Sequence, residues 1–216
     1  MTFQNAYKGI GKIYLAEVLE LIGAILLGIG VGIGFFGMRT EGQVEAVVTS
    51  SLAFGAFLTF LPGIILPIVS LILTFLGLNE ASKDEPTQLR TAFISCIGAL
   101  AFSIIAGVIQ SVNGASNLMS SVFELLATLA ALFITIFTIG GICKLMTRIG
   151  RNDLVNRGNQ ILWLLVAAQL AEQVARMLPQ GTLASILELA AIIFSTVMCI
   201  MYLGFLRNSR NALLAA

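Results

Sequence analysis

The chain has 216 residues, 58% of them hydrophobic and 11% charged, with a mean hydropathy of +0.98 and a formal charge of +1. Soluble domains carry about 25% charged residues, so this composition cannot clothe a water-facing surface. The net charge says nothing about nucleic acid, but with no basic tail or basic-aromatic patch no nucleic-acid partner is expected.

Several apolar runs of twenty residues or more predict an all-α integral membrane protein. The first, 13–36, follows Lys8 and Lys12 and carries Glu17 and Glu20 in its inner half. It is too long for the apolar part of a cleaved leader and lacks a small-residue cleavage site, so it reads as a retained span. Gly28, Gly30, Gly32 and Gly34 alternate through it. Gly28 and Gly32 sit four apart, the spacing that lets helices approach closely in lipid. The segment 32–37 also satisfies G-x-G-x-x-G, but it follows no strand and lies within a span, so a dinucleotide site is not implied.

The second run, 46–78, contains Pro62 and Pro67. A straight helix of this length would reach about 50 Å, against a hydrocarbon core of about 30 Å. A single kinked span is expected, because proline removes a backbone hydrogen bond and bends the helix. A re-entrant pair would invert all later loops and place Lys144, Arg148, Arg151 and Arg157 outside, so it is rejected. Asp84-Glu85-Pro86 then provides an acidic helix start for the third run, 91–112. The fourth run is 121–143, the fifth 158–178 and the sixth 183–206. Turn clusters at 113–117 (NGASN) and 179–182 (PQGT) separate the third from the fourth and the fifth from the sixth.

The loop charges orient these spans. Lys8, Lys12, Lys83, Arg90, Lys144, Arg148, Arg151, Arg157, Arg207 and Arg210 fall on one side, and only Arg39 and Arg176 on the other. Cytoplasmic loops retain Lys and Arg, so six transmembrane helices are expected, with both termini cytoplasmic. They form three successive helical hairpins within a single polytopic domain, 1–216. A partial repeat fits this pairing: 121–127 (SVFELLA) opens the fourth span, 185–191 (SILELAA) the sixth, and Gly140 then aligns with Gly204. The basic loop 143–160 reads first as topology signal and second as a segment lying along anionic headgroups.

Carboxylates inside spans are expensive and are the candidate functional groups. Glu20 is the deeper of the inner pair. Toward the outer side lie Glu124, Glu172 with Arg176, and Glu188, with Gln110 and Gln169 in the same layer. Glu172 and Arg176, at i, i+4, can pair along one helix face. Together these groups could line a vestibule for a cation, a proton or a polar solute. The plainer reading sends Glu124 and Glu188, near their helix starts, to headgroups and the helix dipole.

Enzymatic chemistry finds little support. There is no histidine, which removes Ser–His nucleophiles and HExxH zinc sites. The two aspartates, Asp84 and Asp153, lie in loops, and no Walker A sequence occurs. Cys96, Cys143 and Cys199 are widely spaced and form neither a disulfide framework nor a zinc signature. No cofactor or metal is implied.

The expected role is a non-enzymatic accessory or structural membrane component. The alternative is a small transporter, channel or substrate-binding subunit using the intramembrane glutamates. The expected partners are the lipid bilayer and, through the glycine face, a second copy or another membrane protein. Short-looped hairpins of this kind are the layout of small bacterial membrane proteins, so the expected location is a bacterial plasma membrane, crossed several times.

Overall fold

In lipid, every backbone N–H and C=O must be satisfied within the segment, and long apolar runs meet that demand as helices. A computed structural model of the chain describes the backbone of residues 3–40, 46–113, 118–177 and 182–215. Side chains at 32–56, 58, 113–117, 169, 171–189 and 191–192 lie outside the described set. The described residues form six helices: α1 (Gln4–Thr40), α2 (Ala46–Ala81), α3 (Gln88–Asn113), α4 (Leu118–Arg148), α5 (Asn152–Met177) and α6 (Thr182–Ala215). Each contains one apolar run of the sequence, except that the fifth run ends one residue beyond α5, and most helices overshoot their runs at the basic end.

Among the described residues, four stretches are long and apolar enough to cross a membrane: Gln4–Val31, Thr59–Ala81, Gln88–Val112 and Leu118–Arg148. Their outward faces carry exposed Ile25, Ile68, Ile104 and Phe133, an apolar surface suited to lipid rather than to water. Helix α2 runs unbroken through Pro62 and Pro67, so this segment is one helix and not a re-entrant pair. The two prolines leave the carbonyls four residues before them without helix donors.

The chain divides into two compact units, residues 12–74 and residues 1–11 with 75–216. In the first unit, α1 and α2 pack as a hairpin. A Cβ on Gly23 would stand 2.9 Å from Pro67 Cδ, and one on Gly63 would stand 2.6 Å from Leu27 Cγ. In the second unit α3 packs on α4, α4 on α5, and α5 on α6.

Among the described residues, most large buried side chains of the second unit lie at one set of helix ends. Ile10 comes from the start of α1, Leu78 from the end of α2 and Leu89 from the start of α3. Ile142, Leu145 and Met146 come from the end of α4, Ile161 from the first half of α5, and Phe205, Leu206 and Leu213 from the last third of α6. Alternating starts and ends meet at one level because successive helices run antiparallel. Between lipid and helix there is little hydrophobic gain, so close packing and polar contacts hold such helices together.

The turn from α4 to α5 needs only three residues. Gly150 takes φ +73°, the left-handed conformation that glycine adopts without a Cβ penalty. Arg151 N–H then donates to Met146 C=O at 2.9 Å and Gly150 N–H to Thr147 C=O at 3.0 Å. This 6→1 and 5→2 pair is a Schellman cap, which satisfies two terminal carbonyls of α4.

Candidate functional site

The sequence-predicted polar residues fall into three situations. Glu124 lies in the second turn of α4, opposite Gln110 in the last turn of α3. The Gln110 Nε2 donates to the Glu124 carboxylate. An open groove of about 560 Å³ runs between these two helices, lined by Ser103, Gly107, Gln110, Ser121, Glu124 and Thr128 among others. The Thr128 hydroxyl donates to the Glu124 carbonyl at 2.9 Å, as threonines within helices commonly do. Gly107 has open space where a Cβ would stand, which keeps the groove floor low.

Glu20 occupies the other unit. The Ser70 hydroxyl donates to Glu20 Oε2 at 3.3 Å across the α1–α2 hairpin. Ser70 is buried and Glu20 exposed, so the carboxylate reaches back to its neighbour from the hairpin surface. A Cβ on Gly28 of α1 would have nothing within 4 Å, whereas Gly23 and Gly63 meet the partner helix directly.

Glu172 and Arg176 lie within α5, and Glu188 within α6. Their side chains are outside the described residues, and so are the surroundings of Gly32. The predicted meeting of Glu172, Arg176 and Glu188 with Glu124 therefore has no described geometry.

Among the described residues, the most heavily connected polar cluster lies at the basic end, in the loop between α2 and α3. Glu85 is fully buried. Its Oε2 accepts from Gln88 N–H at 2.7 Å and Leu89 N–H at 3.0 Å, capping α3. Its Oε1 accepts from the Thr87 hydroxyl and forms an ion pair of 2.8 Å with Lys144 of α4. Lys144 also donates to Thr87 Oγ1 at 2.6 Å. Burial alone would raise the Glu85 carboxyl. The Lys144 ammonium, the Thr87 hydroxyl and the two backbone N–H groups together outweigh it and hold the pKa down at about 2.

Asp84 serves the neighbouring helix. It accepts from Ala6 N–H at 2.7 Å and from Asn5 Nδ2 at 3.0 Å, capping the start of α1. Its backbone carbonyl accepts from Arg148 Nη1 at 3.2 Å. One loop therefore ties the starts of α1 and α3 to the end of α4.

The acidic start before Pro86 was legible as a cap for α3. Its reach to α1, and the engagement of Lys144 and Arg148, was not. The sequence offered a charged acidic pair and two basic residues spaced i, i+4, but such spacing does not reveal which loop lies opposite.

The second aspartate is also paired. Asp153 makes a two-pronged contact with Arg151, Nε at 2.9 Å and Nη2 at 2.8 Å. The Arg151 hydrogen bonds hold its carboxyl down at about 2. Cys143 is buried against α5, with its sulfur 3.8 Å from the Val155 carbonyl, the setting of a small core hydrophobe. Among the described residues no group of three His, Cys, Asp or Glu side chains could hold a metal ion.

No protein-family model, no curated protein and no solved structure matches this chain.

Proposed function

We propose that the chain is a single six-span membrane domain with both termini cytoplasmic, acting as a non-enzymatic accessory or structural component of a bacterial plasma membrane. The observation that carries this reading is the use made of its loop charges. Asp84, Glu85, Lys144 and Arg148 are engaged in capping helices and joining them, and Asp153 is engaged by Arg151. The gathering of alternate helix starts and ends at this basic level supports six antiparallel spans, since that level carries the Lys and Arg residues that stay cytoplasmic.

A second reading, a small transporter or substrate-binding subunit, draws on the α3–α4 groove. A carboxylate, an amide and several hydroxyl groups lie there within otherwise apolar helices, and such groups in spans are candidate solute sites.

Two measurements decide between these readings. In a variant lacking Cys96, Cys143 and Cys199, an impermeant maleimide should label Ser116→Cys in intact cells, and Lys83→Cys only after permeabilisation. The reverse pattern would sink the six-span topology. In proteoliposomes the protein should conduct protons and monovalent cations no faster than empty vesicles. A flux abolished by Glu124→Gln would replace the accessory reading with the second.

A further inference from the structure

The start of α5 and the end of α6 flank an open cleft of about 540 Å³ lined by Arg151, Asp153, Arg157, Asn208 and Asn211, with Leu154, Ala212 and Ala215 as its apolar wall. Ligand sites of about 300–1,000 Å³ are ordinary. Among the described residues, the Arg157 guanidinium and the Asn208 and Asn211 amides make no hydrogen bond or ion pair with the protein. Arg151 is held in place by Asp153 through Nε and Nη2, which leaves its Nη1 donors unused. The cleft therefore presents donors from four side chains, with two guanidinium groups against one carboxylate.

Its depth narrows the ligand. Arg157 immediately precedes the apolar run 158–178, and Asn208 and Asn211 closely follow the run 183–206. Both walls therefore stand where the spans leave the hydrocarbon, at headgroup level. Planar guanidinium forks and amides match phosphate oxygens, and the cytoplasmic leaflet supplies anionic phospholipids to basic pockets between helices. The apolar wall can accompany the first carbons of an acyl chain. Arg157 lies over Gly204 of α6, its Nη2 3.7 Å from where a Cβ would stand.

We infer that this cleft binds the phosphate headgroup of an anionic membrane phospholipid, with Arg157 as the principal charge and Asn208 and Asn211 as orienting donors. The inference rests on the six-span reading, which puts this end of the helices at the cytoplasmic leaflet. Maleimide labelling at positions 83 and 116 tests that orientation separately.

The experiment is a thermal-unfolding titration of the detergent-purified full chain with short-chain phosphatidylglycerol, phosphatidylcholine or inorganic phosphate. Phosphatidylglycerol should raise the unfolding midpoint saturably and phosphatidylcholine should not. Arg157→Gln should weaken the apparent affinity about tenfold, the loss expected for one charge-assisted contact. Asn211→Ala, at an exposed position, should weaken it less. Lys83→Gln, an exposed basic residue outside the cleft, should leave it unchanged. Equal responses to the two lipids overturn the site, as does an affinity indifferent to both Arg157→Gln and Asn211→Ala. Equal stabilisation by inorganic phosphate overturns the assignment to a lipid.

Discussion

A buried carboxylate survives in a folded protein when its lone pairs are occupied, and Glu85 meets that condition with two backbone N–H groups, one hydroxyl and one ammonium. Removing it exposes the first turn of α3 and leaves Lys144 without its acidic partner. Glu85→Gln should therefore lower stability by about 2 kcal/mol, read as a fall in the thermal midpoint of the purified protein. Lys144→Met should cost less, because the Lys144 side chain is 40% exposed and water screens the pair. The pH dependence has a definite sign. The Glu85 carboxyl lies at about 2 in the fold against an ordinary 4.5, so folding favours its ionised form. Its contribution is complete above pH 4.5 and is lost as pH falls from there toward 2. Acid titration of stability should show a decline in that window that is absent from Glu85→Gln.

At the scale of helices, glycines decide how closely neighbours approach. A Cβ on Gly9 would stand 2.5 Å from the Gly77 carbonyl oxygen and 2.6 Å from the Ala81 nitrogen, both backbone atoms that cannot turn aside. A Cβ on Gly141 would stand 2.6 Å from Leu89 Cγ and 3.3 Å from its nitrogen. Gly9→Ala and Gly141→Ala should each destabilise by about 1–3 kcal/mol through overpacking. Gly28→Ala and Gly107→Ala meet nothing within 4 Å and should be neutral or stabilising by up to about 1 kcal/mol, the ordinary helix preference for alanine. Thermal midpoints of the four variants check the contrast in sign. If Gly28→Ala instead destabilises the protein, another chain packs against that face. The alternating glycines of the first span were visible in sequence; Gly23 and Gly63, which lie outside that run, also supply close contacts of the described hairpin. Spacing marks which residues share a face, not which face meets a neighbour.

Across the whole molecule, the two ends of the chain touch. Arg210 near the end of α6 donates through Nη2 to the Tyr7 hydroxyl at 3.1 Å, and its Cζ lies 4.8 Å from the Tyr7 ring centroid. Gly11 lies under this contact, and a Cβ there would stand 3.1 Å from Arg210 Nε, close enough to require a small shift of that side chain. A double-mutant cycle over Tyr7→Ala and Arg210→Ala should return a coupling of about 1 kcal/mol. A coupling near zero would mean that the contact contributes nothing to joining α1 and α6. The sequence counted Arg210 among the charges that orient the chain. Its second use, as a bond between the termini, depends on residues more than two hundred positions apart.

The sequence by itself determined the helical class, because lipid admits no unpaired backbone and the apolar runs are long enough to need helices. It also located one apolar run per helix, although α1 begins and α6 ends nine residues beyond its run, and it marked Asp84-Glu85-Pro86 as a helix start, because capping and proline chemistry are local. Tertiary structure alone decided which polar residues meet. It joined Gln110 to Glu124, Ser70 to Glu20, Asp84 to the start of α1 and Lys144 to Glu85. In chains this apolar the rotational setting of each helix is weakly encoded, since lipid and neighbouring helix are both hydrocarbon to a leucine. Close packing at a few glycines and pairing at a few charges make that choice, and both are visible only once the helices stand side by side.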